Sequence, residues 1–255
     1  MVKICCQSAL FRPGFFYPEG EKMSNTVIVG GAETFSVVDY PGKLAAVVFL
    51  QGCPWRCPFC YNTAVQKIGQ PTDFVWDRFV DFLKDRRGKL DAVVFSGGEP
   101  LVQDALADAM REVKELGYAV GLHTGGYRPE HLEKVLPLVN WVGMDIKAPF
   151  EKERYREVTK TDHLEKVLKS LDLLLQAGID FECRTTCDPR LLKPADLKKM
   201  AEDLYAKGVK KYFLQQYRPI PTDTVTTDAD CEGIFADKGL IEYIKAMFEE
   251  FEIRK

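Results

Sequence analysis

Residues Ala45–Leu50 read Ala-Ala-Val-Val-Phe-Leu, an apolar run with no polar alternation. A strand with one wet face alternates apolar and polar residues. A continuous run must instead be covered on both faces, which predicts a parallel sheet flanked by helices. The rest of the chain fits that demand. A helix is expected over 73–87, with Thr72 or Asp73 as N-cap and Gly88 as stop, and a strand over 91–95. Next come a helix over 103–116 ended by Gly117, a strand over 118–122 and a helix around 129–136. A strand over 141–146, a helix over 163–176 ahead of Gly178 and a strand over 180–185 follow. Pro194 opens a helix to 206, Lys211–Gln216 forms a strand, and a last helix is expected over about 238–251. Alternating β and α with short connections gives six parallel βα units with right-handed crossovers. Both an open partial barrel and a doubly wound sheet satisfy this pattern. In either, active residues belong at the carboxyl ends of the strands.

Composition excludes some function classes. The net charge is −3 and no Lys/Arg block forms a stripe, which argues against direct nucleic-acid binding. No stretch approaches the ~20 apolar residues of a membrane span. Residues 1–24 read as a flexible N-terminal extension, and Met23-Ser24-Asn25 as a more natural start. Arg12, Pro13 and Pro18 interrupt its short apolar run and no small-residue cleavage site follows, so it does not read as a secretory signal. Residues 25–255 read as one domain. Eight cysteines are too few and too unevenly spaced for a secreted disulfide scaffold. Three of them lie close together, which in a cytoplasmic protein points to metal or redox chemistry.

Those three are Cys53, Cys57 and Cys60, spaced C-x3-C-x2-C directly after the first strand. Three thiolates can hold three irons of a 4Fe–4S cube and leave the fourth without a protein ligand. A zinc knuckle and a metal-free buried cluster are the competing readings. A structural zinc site takes four ligands, and no other Cys or His lies nearby in sequence to complete one. Ser96-Gly97-Gly98-Glu99-Pro100 ends the second strand. Its glycines allow close approach of a ligand, and Glu99 offers a carboxylate to an ammonium group. On its own this motif is often only a strand-ending turn. Here it occupies the next βα loop after the cysteines, so both loops face one pocket.

With Phe59 between the second and third cysteines, these two loops resemble the radical S-adenosylmethionine (SAM) superfamily. Within it, Val38-Asp39-Tyr40-Pro41-Gly42, Gln51-Gly52-Cys53 and Met144-Asp145-Ile146-Lys147 resemble the glycyl-radical-enzyme activating enzymes. Residues 121–124, 141–149, 181–186 and 214–219 are most similar to the activating proteins of anaerobic ribonucleoside-triphosphate reductase. The resemblance implies an α/β fold with a partial (β/α)6 TIM-like barrel. It implies a 4Fe–4S cluster on Cys53, Cys57 and Cys60, and SAM bound at the open iron. Glu99 would hold the SAM amino group, with Gly97 and Gly98 along the methionine part. Phe59, Asn62, Thr124, Asp145, Lys147 and Arg184 would complete the cofactor site, and Asp39 would face the partner's glycine-bearing peptide. The implied partners are a glycyl radical enzyme, namely anaerobic ribonucleotide reductase, and a low-potential donor such as flavodoxin or ferredoxin. An activase of a formate-lyase type enzyme, a small-molecule radical SAM enzyme such as a deazapurine synthase, and an iron–sulfur electron carrier are the alternatives.

Strand parity adds detail, because residues two apart share a face. Asp145 and Lys147 point together, toward the pocket or as an exposed strand-end pair. Cys183 points away from Arg184 and reads as a buried thiol; a second cluster on Cys183, Cys187 and Cys231 matches no ferredoxin spacing. Two departures from the family stand out. Tyr61-Asn62 replaces His-Asn, and His123 replaces an aspartate that in relatives helps bind a monovalent cation beside SAM. The cation is therefore an open expectation. Trp55 either covers the cluster or packs.

Anaerobic reconstitution is expected to load about four irons per chain in an oxygen-labile centre. Cys53→Ala, Cys57→Ala and Cys60→Ala should each abolish it, as measured by iron and sulfide content. Stoichiometric zinc in protein purified without oxygen would refute the assignment.

Overall fold

The computed structural model describes residues 27–255. The extension assigned to residues 1–24, and the start at Met23-Ser24-Asn25, lie outside the described residues.

The first strand, β1 (Val29–Ser36), pairs antiparallel with β2 (Ala45–Leu50). From there every pair is parallel. Helix α1 (Trp76–Asp85) leads to β3 (Ala92–Gly97), α2 (Leu106–Glu115) to β4 (Ala119–Thr124), and α3 (Pro129–Val135) to β5 (Trp141–Asp145). Helices α4 (Lys152–Thr159) and α5 (Leu164–Ala177) precede β6 (Asp180–Cys187), and α6 (Pro194–Lys207) precedes β7 (Lys211–Gln216). Then α7 (Asp228–Gly233) and α8 (Lys238–Lys245) lead to β8 (Glu250–Arg254). The strands lie in one sheet in chain order, β1 to β8, with β1 and β8 at its two edges. The sheet is not closed, and its strand order never reverses as it must in a doubly wound sheet, so the expected partial barrel is the observed one.

The two faces of the sheet carry different chemistry. Ala46, Val48, Leu50, Val93, Phe95, Val120, Leu122, Val142 and Met144 join the main core with the helices. Helix α1 contributes Trp76, Phe79, Val80 and Leu83, and α2 contributes Leu106, Ala109, Met110 and Val113. Both sets follow i, i+3, i+4, i+7, the spacing that aims one helical stripe at the sheet. The other face holds a smaller apolar cluster of Tyr40, Ala45, Val47, Phe49, Ala92, Val94 and Trp141. That division is why β2 is apolar throughout: both of its faces are covered.

Several expected boundaries move, each for a local reason. Helix α1 starts at Trp76, not Asp73, because Phe74 and Val75 are buried before it, and Thr72 donates to the Val29 carbonyl at 2.7 Å instead of capping. Helix α2 starts at Leu106. Gln103, expected inside it, instead bridges the backbone of Ile28 and the carbonyl of Gln51, pinning the entry of β1 to the end of β2. The last expected helix is two elements. It stops at Lys245, and Glu250–Arg254 pairs parallel with β7. Phe248 and Phe251, three apart, mimic a helical stripe, but Phe251 and Ile253 share one face of β8 while Arg254 turns to the other. Strand β1 and helices α4 and α7 were not anticipated.

After β3 the chain passes very close to its neighbour. A Cβ on Gly98 would fall 2.1 Å from the Gly52 carbonyl oxygen, and one on Gly97, at φ +111°, 2.2 Å from the Leu50 amide nitrogen. The glycines thus serve backbone-on-backbone packing, sealed by Gly98 N–H to Leu50 O (2.9 Å) and Glu99 N–H to Gly52 O (2.7 Å). Gly98→Ala is expected to lower stability by about 2 kcal/mol or more, because the blocking atoms are backbone and cannot rotate away. Urea unfolding of the purified variant measures this; an unchanged midpoint would show that the loop can shift.

Candidate functional site

A cavity of about 770 Å³ opens at the carboxyl ends of the strands, where the βα topology places ligand sites. Its lining contains every candidate named from the sequence: Asp39, Cys53, Cys57, Phe59, Cys60, Asn62, Gly97, Gly98, Glu99, Thr124, Asp145, Lys147 and Arg184.

The cysteine loop leaves β2 and is held by its own backbone. Gly52 N–H donates to Val65 O (2.7 Å), Cys53 N–H to Gln66 O (3.0 Å) and Arg56 Nη1 to Cys53 O (2.7 Å). Cys53 and Cys57 are buried and Cys60 is half-buried. Burial pushes the Cys53 thiol up to about 12 and the Cys57 thiol up to about 11, against the pull of Lys147. Both are protonated at neutral pH, so metal binding there must release protons. Trp55 forms a wall of the cavity. Its indole nitrogen donates to Tyr155 Oη at 2.9 Å, Lys147 Nζ lies 5.3 Å from its ring, and a Cβ on Gly125 would strike it.

Glu99 is 1% exposed. Its Oε1 accepts from Thr124 Oγ1 (2.5 Å) and Leu101 N–H (3.1 Å), and its Oε2 from Gly125 N–H (2.8 Å). One carboxylate therefore ties the loop after β3 to the end of β4. Burial pushes its pKa up to about 7 against these donors. A carboxylate has roughly four lone-pair sites, which leaves about one for a ligand. Asn62 donates from Nδ2 to Gly97 O (3.3 Å), while its buried Oδ1 has no partner among the described residues.

Asp145 and Lys147 face the cavity together, as parity required, with Lys147 Nζ 3.5 Å from Asp145 Oδ2. Arg184 comes in from β6, directly across from Asp145 in the parallel register. Its Nε and Nη2 donate to Asp145 Oδ1 at 3.1 and 2.9 Å. Burial would raise the Asp145 pKa, but the Arg184 and Lys147 charges hold it at about 2. His123 lies 3.1 Å from Arg184 Nη1 and 2.8 Å from the Asp39 carbonyl oxygen, both through Nε2. Burial and then Arg184 push its pKa down to about 3, so the ring is neutral. Asp39 accepts from Ser36 Oγ at 2.5 Å. The turn after it closes without that carboxylate, through Lys43 N–H to Tyr40 O (3.1 Å).

Cys183, Cys187 and Cys231 are fully buried and stay out of the cavity lining. Sequence reasoning missed Ser36, Thr186, Gln215, Arg218 and Arg254, all of which line the cavity. Thr186 shares Arg184's parity and could have been found. Arg254 could not, since it lies past the end of the expected last helix, on a strand that the sequence did not signal.

The residues fit the implied groups. Among the described residues no three His, Cys, Asp or Glu side chains converge on a single ion. A cube held at three separate irons asks instead for thiols spaced around its volume. Three such thiols line one cavity, beside an unpartnered buried acceptor and an acid–base pair. A family model described as the radical SAM superfamily matches residues 47–188, more than half of the chain. The chain belongs to the radical SAM superfamily. A Methanocaldococcus jannaschii protein bearing the name of a glycyl-radical enzyme activating enzyme is 34% identical over 203 residues, 75% of this chain and 80% of its own. The pyruvate formate-lyase-activating enzyme of Streptococcus mutans is 31% identical over 215 residues, 78% of this chain and 79% of its own. This radical SAM protein thus falls within the group of glycyl-radical-enzyme activating enzymes, and its family implies SAM and a 4Fe–4S cluster. Among solved structures, Streptococcus suis SuiB bound to S-adenosylmethionine superposes with a TM-score of 0.60 at 12% identity, over 80% of this chain and 48% of SuiB. Native anSMEcpe with bound AdoMet gives 0.60 at 14%, over 79% and 61%. At such identity the likeness concerns the fold.

Asp145→Asn is expected to cost about 1–3 kcal/mol at neutral pH, because it leaves the buried Arg184 without its anion, while the Asp145 side chain, 37% exposed, lets solvent screen part of the pair. The folded carboxyl titrates below its ordinary 3.8, so its stabilisation is present above 3.8 and lost as pH falls toward about 2. The gap in urea midpoint between wild type and variant should therefore narrow from pH 4 downward. A gap independent of pH would show that the ion pair does not carry it.

Proposed function

We propose that this chain, acting as one radical SAM domain over residues 25–255, generates the glycyl radical of an anaerobic ribonucleotide reductase in the cytoplasm. The observation that carries this is a single cavity in which the three cysteines, Glu99, Asn62, Asp145, Lys147 and Arg184 stand together and open toward Asp39. The choice of reductase rests on the sequence resemblance of residues 121–124, 141–149, 181–186 and 214–219. When bound, the cluster would supply the electron for reductive cleavage of the sulfur–carbon bond of SAM, the chemistry by which hydrogen would be removed from the partner's glycine.

The chain's own residues do the holding. Cys53, Cys57 and Cys60 hold the cluster, with Phe59 packed inside their loop. Asn62 Oδ1 and the remaining lone pair of Glu99 accept from the SAM ammonium, with Gly97, Gly98 and Thr124 lining the methionine part. Lys147 offers its charge to the SAM carboxylate, while Asp145 and Arg184 neutralise one another beside it. Trp55 and Phe59 exclude water from that end. Asp39 stands at the open side, next to Phe35 and Val37, which are 55% and 60% exposed on or beside the edge strand β1. An extended partner peptide presents backbone amides, and a carboxylate accepts from them well. A low-potential flavodoxin or ferredoxin serves as donor. A second reading, activation of a formate-lyase type enzyme, is favoured by the Streptococcus mutans relative.

Asp39→Ala is expected to spare the cluster and SAM cleavage without partner, yet lower the glycyl radical yield about tenfold, the loss of one charge-assisted hydrogen bond. The readout is the glycyl electron paramagnetic resonance doublet, beside 5′-deoxyadenosine counted with and without reductase. A wild-type protein that cleaves SAM but gives the doublet only on a formate-lyase type partner would move the assignment to that partner.

A further inference from the structure

The relatives' monovalent cation calls for an anionic oxygen cage beside SAM, and the residues at that place do not form one. His123 presents a neutral imidazole nitrogen. The oxygens that remain, on Asp145 and Gly143, already face a positive group. The Arg184 guanidinium lies between Asp145 Oδ1 (2.9 and 3.1 Å), the Gly143 carbonyl (3.5 Å) and His123 Nε2 (3.1 Å). Gly143 shows how closely it fits. A Cβ there would fall 2.8 Å from both Cζ and Nη1 of Arg184, so the guanidinium lies against bare backbone. Lys147 adds a second positive charge 3.5 Å from the other Asp145 oxygen. A mobile cation would have to enter next to two fixed ones, with one carboxylate among three charges.

We infer that Arg184 is a built-in cation: its guanidinium occupies the position a monovalent metal ion would take, so this chain binds SAM without sodium or potassium. The inference rests on the reading of the cavity as a SAM site. The physical gain is permanence. A guanidinium stays charged at any working pH, is weakly hydrated and is tethered, so no ion has to be recruited or dehydrated for each SAM bound. Its planar fork also gives Asp145 a fixed orientation, which a spherical ion does not. His123 suits the arrangement by staying neutral, where a protonated ring would repel the guanidinium; its Nε2 lies 3.1 Å from Arg184 Nη1 and 2.8 Å from the Asp39 carbonyl oxygen, and in either tautomer it can bond only one of them.

The test uses anaerobically prepared, cluster-loaded protein in potassium, sodium or tetramethylammonium chloride at equal ionic strength. SAM affinity is expected to agree within about twofold across the three salts, well under the tenfold step that 1.4 kcal/mol represents. The sodium-23 resonance should show no line broadening beyond that of a protein-free buffer. Arg184→Ala should weaken SAM binding, and ethylguanidinium should restore part of it. The double variant His123→Asp, Arg184→Ala should broaden the sodium line, with an affinity for SAM that falls in tetramethylammonium. A tenfold loss of SAM affinity for wild type in tetramethylammonium, or specific sodium broadening with wild type, overturns the inference whatever the variants do. Failure of wild type to bind SAM in any salt would instead sink the SAM-site reading, while the sodium line still decides whether Arg184 excludes the ion.

Discussion

Two ion pairs stand on the concave face of an open sheet, beside the small apolar cluster that includes Phe49 and Trp141, and most of the site's properties follow from them. Arg184 with Asp145 and Arg254 with Glu182 take space that a closed barrel would fill with branched apolar side chains. Asp145 and Glu182 share the concave face of β5 and β6, and Arg254 reaches across β7 while lying 3.7 Å from the Phe213 ring. Buried pairs of this kind contribute little net stability, since desolvation cancels much of the attraction, yet losing one partner is costly. The larger helix-facing core therefore carries most of the folding free energy, and the part of the concave face beyond the small apolar cluster is left for chemistry.

That division sets the electrostatics of the radical SAM cavity. Arg184 keeps Asp145 ionised, and burial together with Arg184 keeps His123 neutral, so the group nearest the sheet stays in one charge state across physiological pH. Lys147 stands between this pair and the cysteine loop, where it opposes the burial of Cys53 and Cys57. Glu99 works differently. Among the described residues it has no ion-pair partner and is held by a hydroxyl and two backbone amides, so its main visible effect is to lock neighbouring strand ends together. The same carboxylate that the resemblance gives to SAM is thus a structural joint as well.

The far end of the chain is attached to this frame through side chains remote in sequence. Tyr61, next to Cys60, accepts from Arg218 N–H at 2.7 Å. Arg190 joins the buried Asp188 to Asp223 at 2.5 and 2.7 Å, and Tyr217 donates to Asp223 at 2.9 Å. The segment after β7, including α7 and Cys231, is thereby fastened behind the cysteine loop.

Much was legible because it is local. The period of two along a strand put Asp145 and Lys147 on one face and Cys183 opposite Arg184, and the unbroken apolar run at Ala45–Leu50 required cover on both sides. The C-x3-C-x2-C spacing and the Gly-Gly-Glu loop could be placed at strand ends without knowing which strands touch. Other features are decided by pairing between distant segments. Strand β1 has glycines and polar residues, a weak strand signal, and exists because β2 offers it a free edge. Strand β8 exists because β7 does, although its phenylalanine spacing reads as helix. Gly97 and Gly98 look like ligand-binding glycines in sequence, and only the register of β2 against β3 shows that backbone fills their Cβ positions. By itself the sequence determined the spacing of the three thiols and the Gly-Gly-Glu loop, through which the chain resembles the radical SAM superfamily, since ligand type and spacing are short-range properties. Tertiary structure alone decided that Arg184, His123 and Gly143 meet, because three parallel strands had to align in register before a guanidinium could lie between them.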